Sequence, residues 1–131
     1  MLYLNSAFGR LSSPGCLSVR VKSAKNIKHK NFIYTGWIPH DKVLDIYSKS
    51  SITVVPSFWE EPFGRTALES SSRACATIIS NRGGLPETTD NCIILKKLNS
   101  KELYKEIKKL IKNDNLRKKI QNQGFKNVKH L

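Results

Sequence analysis

Residues 52–87 read ITVVPSFWEEPFGRTALESSSRACATIISNRGGLPE. The β-branched run from Ile52 to Val55 is followed by Pro56, which cannot donate a hydrogen bond to a sheet, so we predict a buried strand that stops there. A second short strand is predicted from Thr77 to Ser80, and the segment between the two carries a helix that begins near Gly64. Strand, loop, helix and strand in this order predict an α/β fold with an open parallel sheet and flanking helices.

The two loops of this unit carry polar groups to one edge of the predicted sheet. Pro62 disfavours the helical conformation for Glu61, which therefore lies in the first loop, whereas Glu69 lies inside the following helix. Unpaired N–H groups at the start of that helix can hold an anion. Gly83 and Gly84 form a second bend, where backbone can approach a ligand closely. Ligands of open α/β sheets bind at the carboxyl ends of the strands, so we expect a binding site here.

Length and composition favour a single intracellular domain. At 131 residues the chain is one domain by length, and no apolar run is long enough to span a bilayer. The segment Met1–Leu4 is too short for the apolar centre of a signal peptide. The three cysteines are widely spaced, form no metal-binding pattern and fit a reducing compartment; they are Cys16, Cys75 and Cys92. We therefore expect a cytoplasmic protein.

The net charge of +13 suggests attraction to an anion, such as a nucleotide diphosphate, acidic lipid headgroups or nucleic acid. An equally open interpretation is a composition rich in lysine, with the lysines simply solvating helix faces. The acidic residues are concentrated in the centre of the chain, at Glu60, Glu61, Glu69, Glu87 and Asp90. A binder of polyanions does not need carboxylates at its centre, but a sugar binder does.

Two motifs resemble a known family. Glu61-Pro62-Phe63-Gly64, followed by Glu69, is similar to the Glu-x7-Glu motif of the retaining glycosyltransferases of family 4. The segment 83–87, Gly-Gly-Leu-Pro-Glu, resembles the Gly-Gly-x-Pro-Glu turn that follows it in that family. The resemblance covers essentially the whole chain, but only part of the family's C-terminal nucleotide-sugar domain. It implies a Rossmann-like open parallel sheet, the C-terminal half of a GT-B glycosyltransferase.

The resemblance also implies a reaction: transfer of a sugar from a nucleotide-diphosphate donor to an acceptor hydroxyl, with retention of configuration and without a metal or other cofactor. Glu61 would contact donor-sugar hydroxyls near the reacting centre, and Glu69 would accept both ribose hydroxyls. The setting that such enzymes suggest is cell-envelope polysaccharide or lipopolysaccharide synthesis.

Further positions carry over from the family in the same way. The backbone N–H groups of Phe63, Gly64 and Arg65 would hold sugar and phosphate oxygens. Gly83 and Gly84 would shape the pocket floor beside the sugar.

Other residues lie near the two motifs or, like Glu87, within the second one, and have separate expected roles. Trp37 and Ile38 are candidates to border the nucleotide base, although a core role for Trp37 is equally open. His40 is expected to be a helix cap or a surface residue, Glu60 a surface residue, and Glu87 a structural residue of its turn.

The chain also departs from the family pattern. The Arg and Lys that clamp the diphosphate in family members have no match here, and the N-terminal acceptor domain is absent. We therefore interpret residues 1–131 as one partial donor-binding domain, a fragment of a longer enzyme.

The remaining elements are predicted from local patterns. Strands are expected at Leu2–Leu4, Phe32–Gly36 and Cys92–Leu95. Helices are expected at Leu17–Ala24 and from His40 or Asp41 to Lys49. Two more are expected near the end of the chain: one opens with a capping box of Asn99 and Glu102, and the other runs from Leu116 toward Leu131. A break at 113–115 separates the last two helices. Their lysines either solvate the surface or contact an anionic membrane.

Two other functions remain open at this point. A non-catalytic module that only recognises nucleotide or sugar would carry the same motifs. A basic nucleic-acid-binding domain is suggested by charge alone, and the sequence lacks a pattern of stacking aromatic residues or a recognisable module, so we expect no nucleic-acid partner.

Overall fold

The computed structural model describes residues 35–128. In chain order its elements are α1 (His40–Ser48), β1 (Ile52–Val55), α2 (Arg65–Ser71), β2 (Ala76–Ser80), α3 (Leu85–Thr88), β3 (Ile93–Leu95), α4 (Ser100–Lys112) and α5 (Asp114–Val128). The three strands pair in parallel in the order β1-β2-β3. The predicted α/β fold with an open parallel sheet and flanking helices is confirmed.

One face of the sheet is covered by the last two helices. Every residue of β1 and β2 is buried, as expected for parallel strands covered on both faces. Val54 and Ile78 pack with Leu110 of α4 and Ile120 of α5 on this face. Complete removal of Leu110 from solvent makes it one of the side chains on which the core depends.

The opposite face is covered by α2 and α3. Val55 and Ile79 pack there with Ala67 of α2 and Leu85 of α3, and all four side chains are buried. Strand side chains alternate between faces, so neighbouring residues of β1 serve different helix layers. This packing fixes the positions of α2 and α3, which follow the loops after β1 and β2. The predicted site residues lie in these loops and in α2.

Asparagine side chains begin the last two helices. The Glu102 N–H donates to Asn99 Oδ1 at 2.9 Å, which confirms that Asn99 caps α4. Leu116 N–H donates to Asn113 Oδ1 at 2.9 Å, so the residue that ends α4 also caps α5. The predicted break at 113–115 is therefore confined to Asn113.

The start of α1 differs from the prediction. Pro39, not His40 or Asp41, is the N-cap, and His40 is the first helical residue. Proline is well suited to a helix start because its fixed φ is compatible with the entry of the chain. Val43 and Tyr47 are the buried residues of this helix.

Two predicted elements, Leu2–Leu4 and Leu17–Ala24, lie outside the described residues. Of the predicted strand at 32–36 only Thr35 and Gly36 are described, and neither lies in a strand. The proposed continuation of the last helix beyond Val128 also lies outside the described part of the chain.

Both described cysteines sit in environments that disfavour the thiolate. The Cys92 thiol donates to the Thr89 carbonyl at 3.0 Å, and burial, with a smaller effect from Asp90, raises the pKa of Cys92 to about 11. The Cys75 thiol donates to the Tyr47 carbonyl at 3.2 Å, and burial raises its pKa as well. Both groups are therefore thiols at neutral pH.

Stability should fall in alkaline solution because of Cys92. Its pKa is 9.0 without the fold and about 11 within it, so the unfolded chain loses the proton first as the pH rises. The stabilisation is complete below pH 9 and is lost between pH 9 and about 11. We expect the urea midpoint of Cys92→Ser to fall less than that of the wild type across this range; equal falls would contradict the assignment.

Candidate functional site

The loop after β1, residues 56–64, and the loop after β2, residues 81–84, are bonded to each other. The Gly84 N–H donates to the Glu61 carbonyl at 2.7 Å. The Gly83 N–H donates to the Glu60 carboxylate, which also accepts from Arg82 Nη1 at 3.1 Å. Main chain and side chains thus hold the two loops together at the carboxyl edge of the sheet.

The double glycine permits this contact. Gly83 has a φ of 52°, and a Cβ there would lie 2.2 Å from the Glu61 carbonyl oxygen. A Cβ on Gly84 would lie 2.7 Å from the Pro62 carbonyl oxygen. Neither position has room for a side chain, because the double glycine lies against the backbone of the Glu61 loop. The close approach of this bend to a ligand, and its place beside the sugar, stay predictions.

The entry into α2 begins at Gly64, which is the N-cap with a φ of 71°. Among residues 35–128, no side chain caps this helix. Phe63, just before it, is 56% exposed. The backbone around Phe63, Gly64 and Arg65 is predicted to hold sugar and phosphate oxygens, and that role stays a prediction.

Glu61 is fixed in the first loop, as predicted, but it is buried. Its residue is 3% exposed, and Ser57 Oγ donates to Glu61 Oε1 at 2.6 Å. Ser57 is itself held because Ser80 Oγ, at the end of β2, donates to the Ser57 carbonyl at 2.8 Å. A sugar hydroxyl can reach this carboxylate only if the Glu61 side chain or its loop moves.

Glu69 lies within α2, as predicted, and its carboxylate is bonded to two side chains. Its Oε1 accepts from Arg65 Nε and from His40 Nε2, each at 2.9 Å, and its side chain is 20% exposed. His40, expected from the sequence to be a helix cap or a surface residue, is instead a hydrogen-bond partner of Glu69. The available signal was weak: a histidine at the start of the helix that precedes β1.

The two residues predicted to border the nucleotide base differ in their exposure to solvent. Trp37 is 70% exposed, so a core role for this residue is wrong. Ile38 is partly buried and packs against the cluster of Val43, Tyr47 and Cys75. Contact of either residue with a base stays a prediction.

Glu60 and Ser57 also shape the site, although the sequence does not predict that role for either. Glu60 is exposed, as predicted, yet its bonds to Arg82 and Gly83 join the loops. Ser57 orders Glu61. The spacing of Ser57 and Glu61 within one loop was a usable signal, whereas the partners of Glu60 are distant in sequence.

A cavity of about 280 Å³ lies between α2, α3 and the end of α5. Phe63, Leu68, Thr89 and Asn127 are among its lining residues, but Glu61 and Glu69 are not. Thr89 Oγ1 is buried and has no hydrogen-bond partner in the described part of the chain. The cavity is thus separate from both predicted carboxylates.

The family model described as glycosyl transferases group 1 matches residues 18–127 of this chain. Because the match covers most of the sequence, the chain belongs to this family. A comparison with curated proteins found no match.

Solved structures share the fold. Sucrose-phosphate synthase from Thermosynechococcus elongatus superposes with a TM-score of 0.73 and 22% identity, over 92% of this chain and 32% of that one. A glycosyltransferase from Rickettsia africae ESF-5 gives 0.71 and 27%, over 89% and 32%. The sheet and its helices therefore match part of the GT-B glycosyltransferase fold, and the chain spans about a third of the length of these neighbours.

The loop contact can be tested with two glycine substitutions. Gly83→Ala should lower the free energy of unfolding by at least about 2 kcal/mol, because the new Cβ meets the Glu61 backbone in a strained φ region. Gly124→Ala is the matched control: its Cβ would lie an ordinary 3.6 Å from Ser71, and alanine favours the α5 helix by about 0.5–1 kcal/mol. Urea unfolding measures both, and similar values for the two variants would refute the contact.

Proposed function

We propose that this chain is the donor-binding part of a retaining glycosyltransferase, which moves a sugar from a nucleotide-diphosphate sugar to an acceptor hydroxyl. The observation that supports this most is the Glu69 carboxylate, which is held on Oε1 by His40 and Arg65. Within residues 35–128, Oε2 has no hydrogen-bond donor. Family membership makes nucleotide-sugar binding the expected use of such a group.

Glu69 suits a ribose ring on chemical grounds. An ionised carboxylate only accepts hydrogen bonds and has about four lone-pair sites, of which the two N–H donors occupy two. The neighbouring 2′- and 3′-hydroxyls of a ribose are two donors at a fixed spacing. The remaining acceptor sites of Glu69 match this pair.

Glu61 supplies the second part of the proposal. We assign it to the donor-sugar hydroxyls near the reacting centre, with the Ser57 bond as the resting arrangement of its side chain. Gly83 and Gly84 form the floor beside it, because their backbone lies against the Glu61 loop. Neither a metal nor another cofactor enters this proposal.

Catalysis requires more than this domain. We propose that residues 1–131 are a partial donor-binding domain and that an acceptor domain completes the cleft, since the neighbouring structures are about three times as long. A cytoplasmic role in cell-envelope polysaccharide or lipopolysaccharide synthesis is the setting that the family resemblance favours. The alternative is a module that binds nucleotide without catalysis, and the same observation supports it. A measurement of turnover by the complete protein distinguishes the two functions.

Contact with an anionic membrane is a second element of the proposal. Tyr104 and Ile111 are exposed on α4, and the Lys108 ammonium lies 5.3 Å from the centre of the Tyr104 ring. An exposed aromatic and an aliphatic side chain among lysines suit the boundary between headgroups and acyl chains. In the described part of the chain, no helix is long and apolar enough to cross a membrane.

The role of Glu69 can be tested on this chain. Titration calorimetry with UDP, GDP and ADP should give weak binding of at least one of them by the wild type, and Glu69→Ala should reduce that affinity by more than about tenfold, because hydrogen bonds to a charged group are lost. Asp114→Asn is the control, since it removes an exposed carboxylate paired with Arg117 at the start of α5. Wild-type affinity in Glu69→Ala would overturn the assignment.

Glu61 should act on turnover rather than nucleotide affinity. In the complete enzyme, Glu61→Ala should lower kcat by about 100-fold or more, as expected when a group that interacts with the developing charge is removed. The affinity for the nucleotide should change by less than about twofold, because the ribose contact at Glu69 persists. Steady-state kinetics with calorimetry separate the two quantities; unchanged kcat would exclude the assigned role.

A further inference from the structure

We propose that His40 is a positioning residue, whose imidazole orients the Glu69 carboxylate for the ribose and so contributes to preference for ribonucleotides over 2′-deoxyribonucleotides. The inference rests on the proposed function of Glu69 and adds a residue from a different helix. Nothing in the local sequence around His40 assigns it this role.

The bond joins two separate elements. His40 begins α1 and Glu69 lies within α2, 29 residues later, with Nε2 and Oε1 2.9 Å apart. The side chains are 36% and 20% exposed, so solvent only partly competes with the bond. A glutamate carboxylate otherwise turns easily about its last torsion, and a donor from a second helix restricts that rotation.

His40 restrains Glu69 in a way that Arg65 does not. Arg65 lies four residues before Glu69 on the same helix, and its side chain is 72% exposed. Exposed pairs at this spacing are weak and mobile. The backbone of His40, in contrast, is fixed because the buried side chains of Val43 and Tyr47 anchor α1. The hydrogen bond from His40 therefore connects the Glu69 carboxylate to a rigid part of the fold.

This restraint has a consequence for ligand choice. Within residues 35–128, both N–H donors lie on Oε1, so the acceptor sites that these residues leave open are concentrated on Oε2. A carboxylate with a fixed orientation offers those sites in one direction, which favours a ligand that presents two neighbouring hydroxyls. Loss of His40 should therefore weaken binding of a ribonucleotide more than binding of its 2′-deoxy counterpart.

The experiment compares ligands and variants together. The dissociation constants of UDP, GDP and ADP, and of the three 2′-deoxy forms, are measured by NMR titration of the full chain. For the nucleotide that the wild type binds best, His40→Ala should weaken ribonucleotide binding about three- to tenfold, the effect of one hydrogen bond. Binding of the 2′-deoxy form should weaken less than about twofold, and His40→Gln, whose amide can donate from a similar position, should restore most of the loss.

Two further variants separate the inference from the function beneath it. In the Glu69→Ala background, His40→Ala should have no additional effect, because its partner is gone. Lys42→Ala, an exposed change on α1, should leave both ligands unaffected. If Glu69→Ala weakens binding but His40→Ala does not, or if His40→Ala weakens both ligands equally, the positioning role is wrong and the proposed function stands. If wild type binds none of the nucleotides, or Glu69→Ala has no effect, both fall.

Discussion

The main-chain hydrogen bond from Gly84 to the Glu61 carbonyl, 2.7 Å long, sets the geometry of the site. It brings the loops after β1 and β2 so close that no Cβ fits at Gly83 or Gly84. The Glu60 carboxylate strengthens the same contact by accepting from the Gly83 N–H. Because these bonds involve mostly backbone atoms, the shape of the site depends on few side chains. The close contact itself requires glycine at both positions.

The two motif glutamates occupy different physical environments although they belong to one loop and helix. Glu61 is almost completely buried, and the Ser57 hydroxyl offsets part of the cost of removing a carboxylate from water. Glu69 is partly exposed and accepts from two N–H groups on two helices. The buried group is bonded to Ser57 of its own loop, whereas the partly exposed group can be reached by a ligand, so the two carboxylates suit the different roles proposed for them.

Local patterns predicted the backbone well because the determinants are local. The β-branched run before Pro56 and the side chain of Asn99 each act within a few residues, and the strand and cap are where the sequence placed them. The partner of His40 depends on how α1 packs against α2, which no short pattern encodes. The exposure of Trp37 is likewise not predictable from its residue type. Large aromatic residues are buried on average, but Trp37 is 70% exposed.

In the proposed function, nucleotide binding and sugar transfer place different demands on the two carboxylates of this domain. The carboxylate assigned to the ribose is already oriented by side chains of α1 and α2, both of which the chain supplies. The carboxylate assigned to the sugar is bonded to Ser57 and must leave that partner to reach a hydroxyl. A ligand or a second domain that moves the loop would have to compensate for the lost bond. In the proposed function, nucleotide binding would thus precede the rearrangement of Glu61 that sugar transfer needs, and the two can be measured separately.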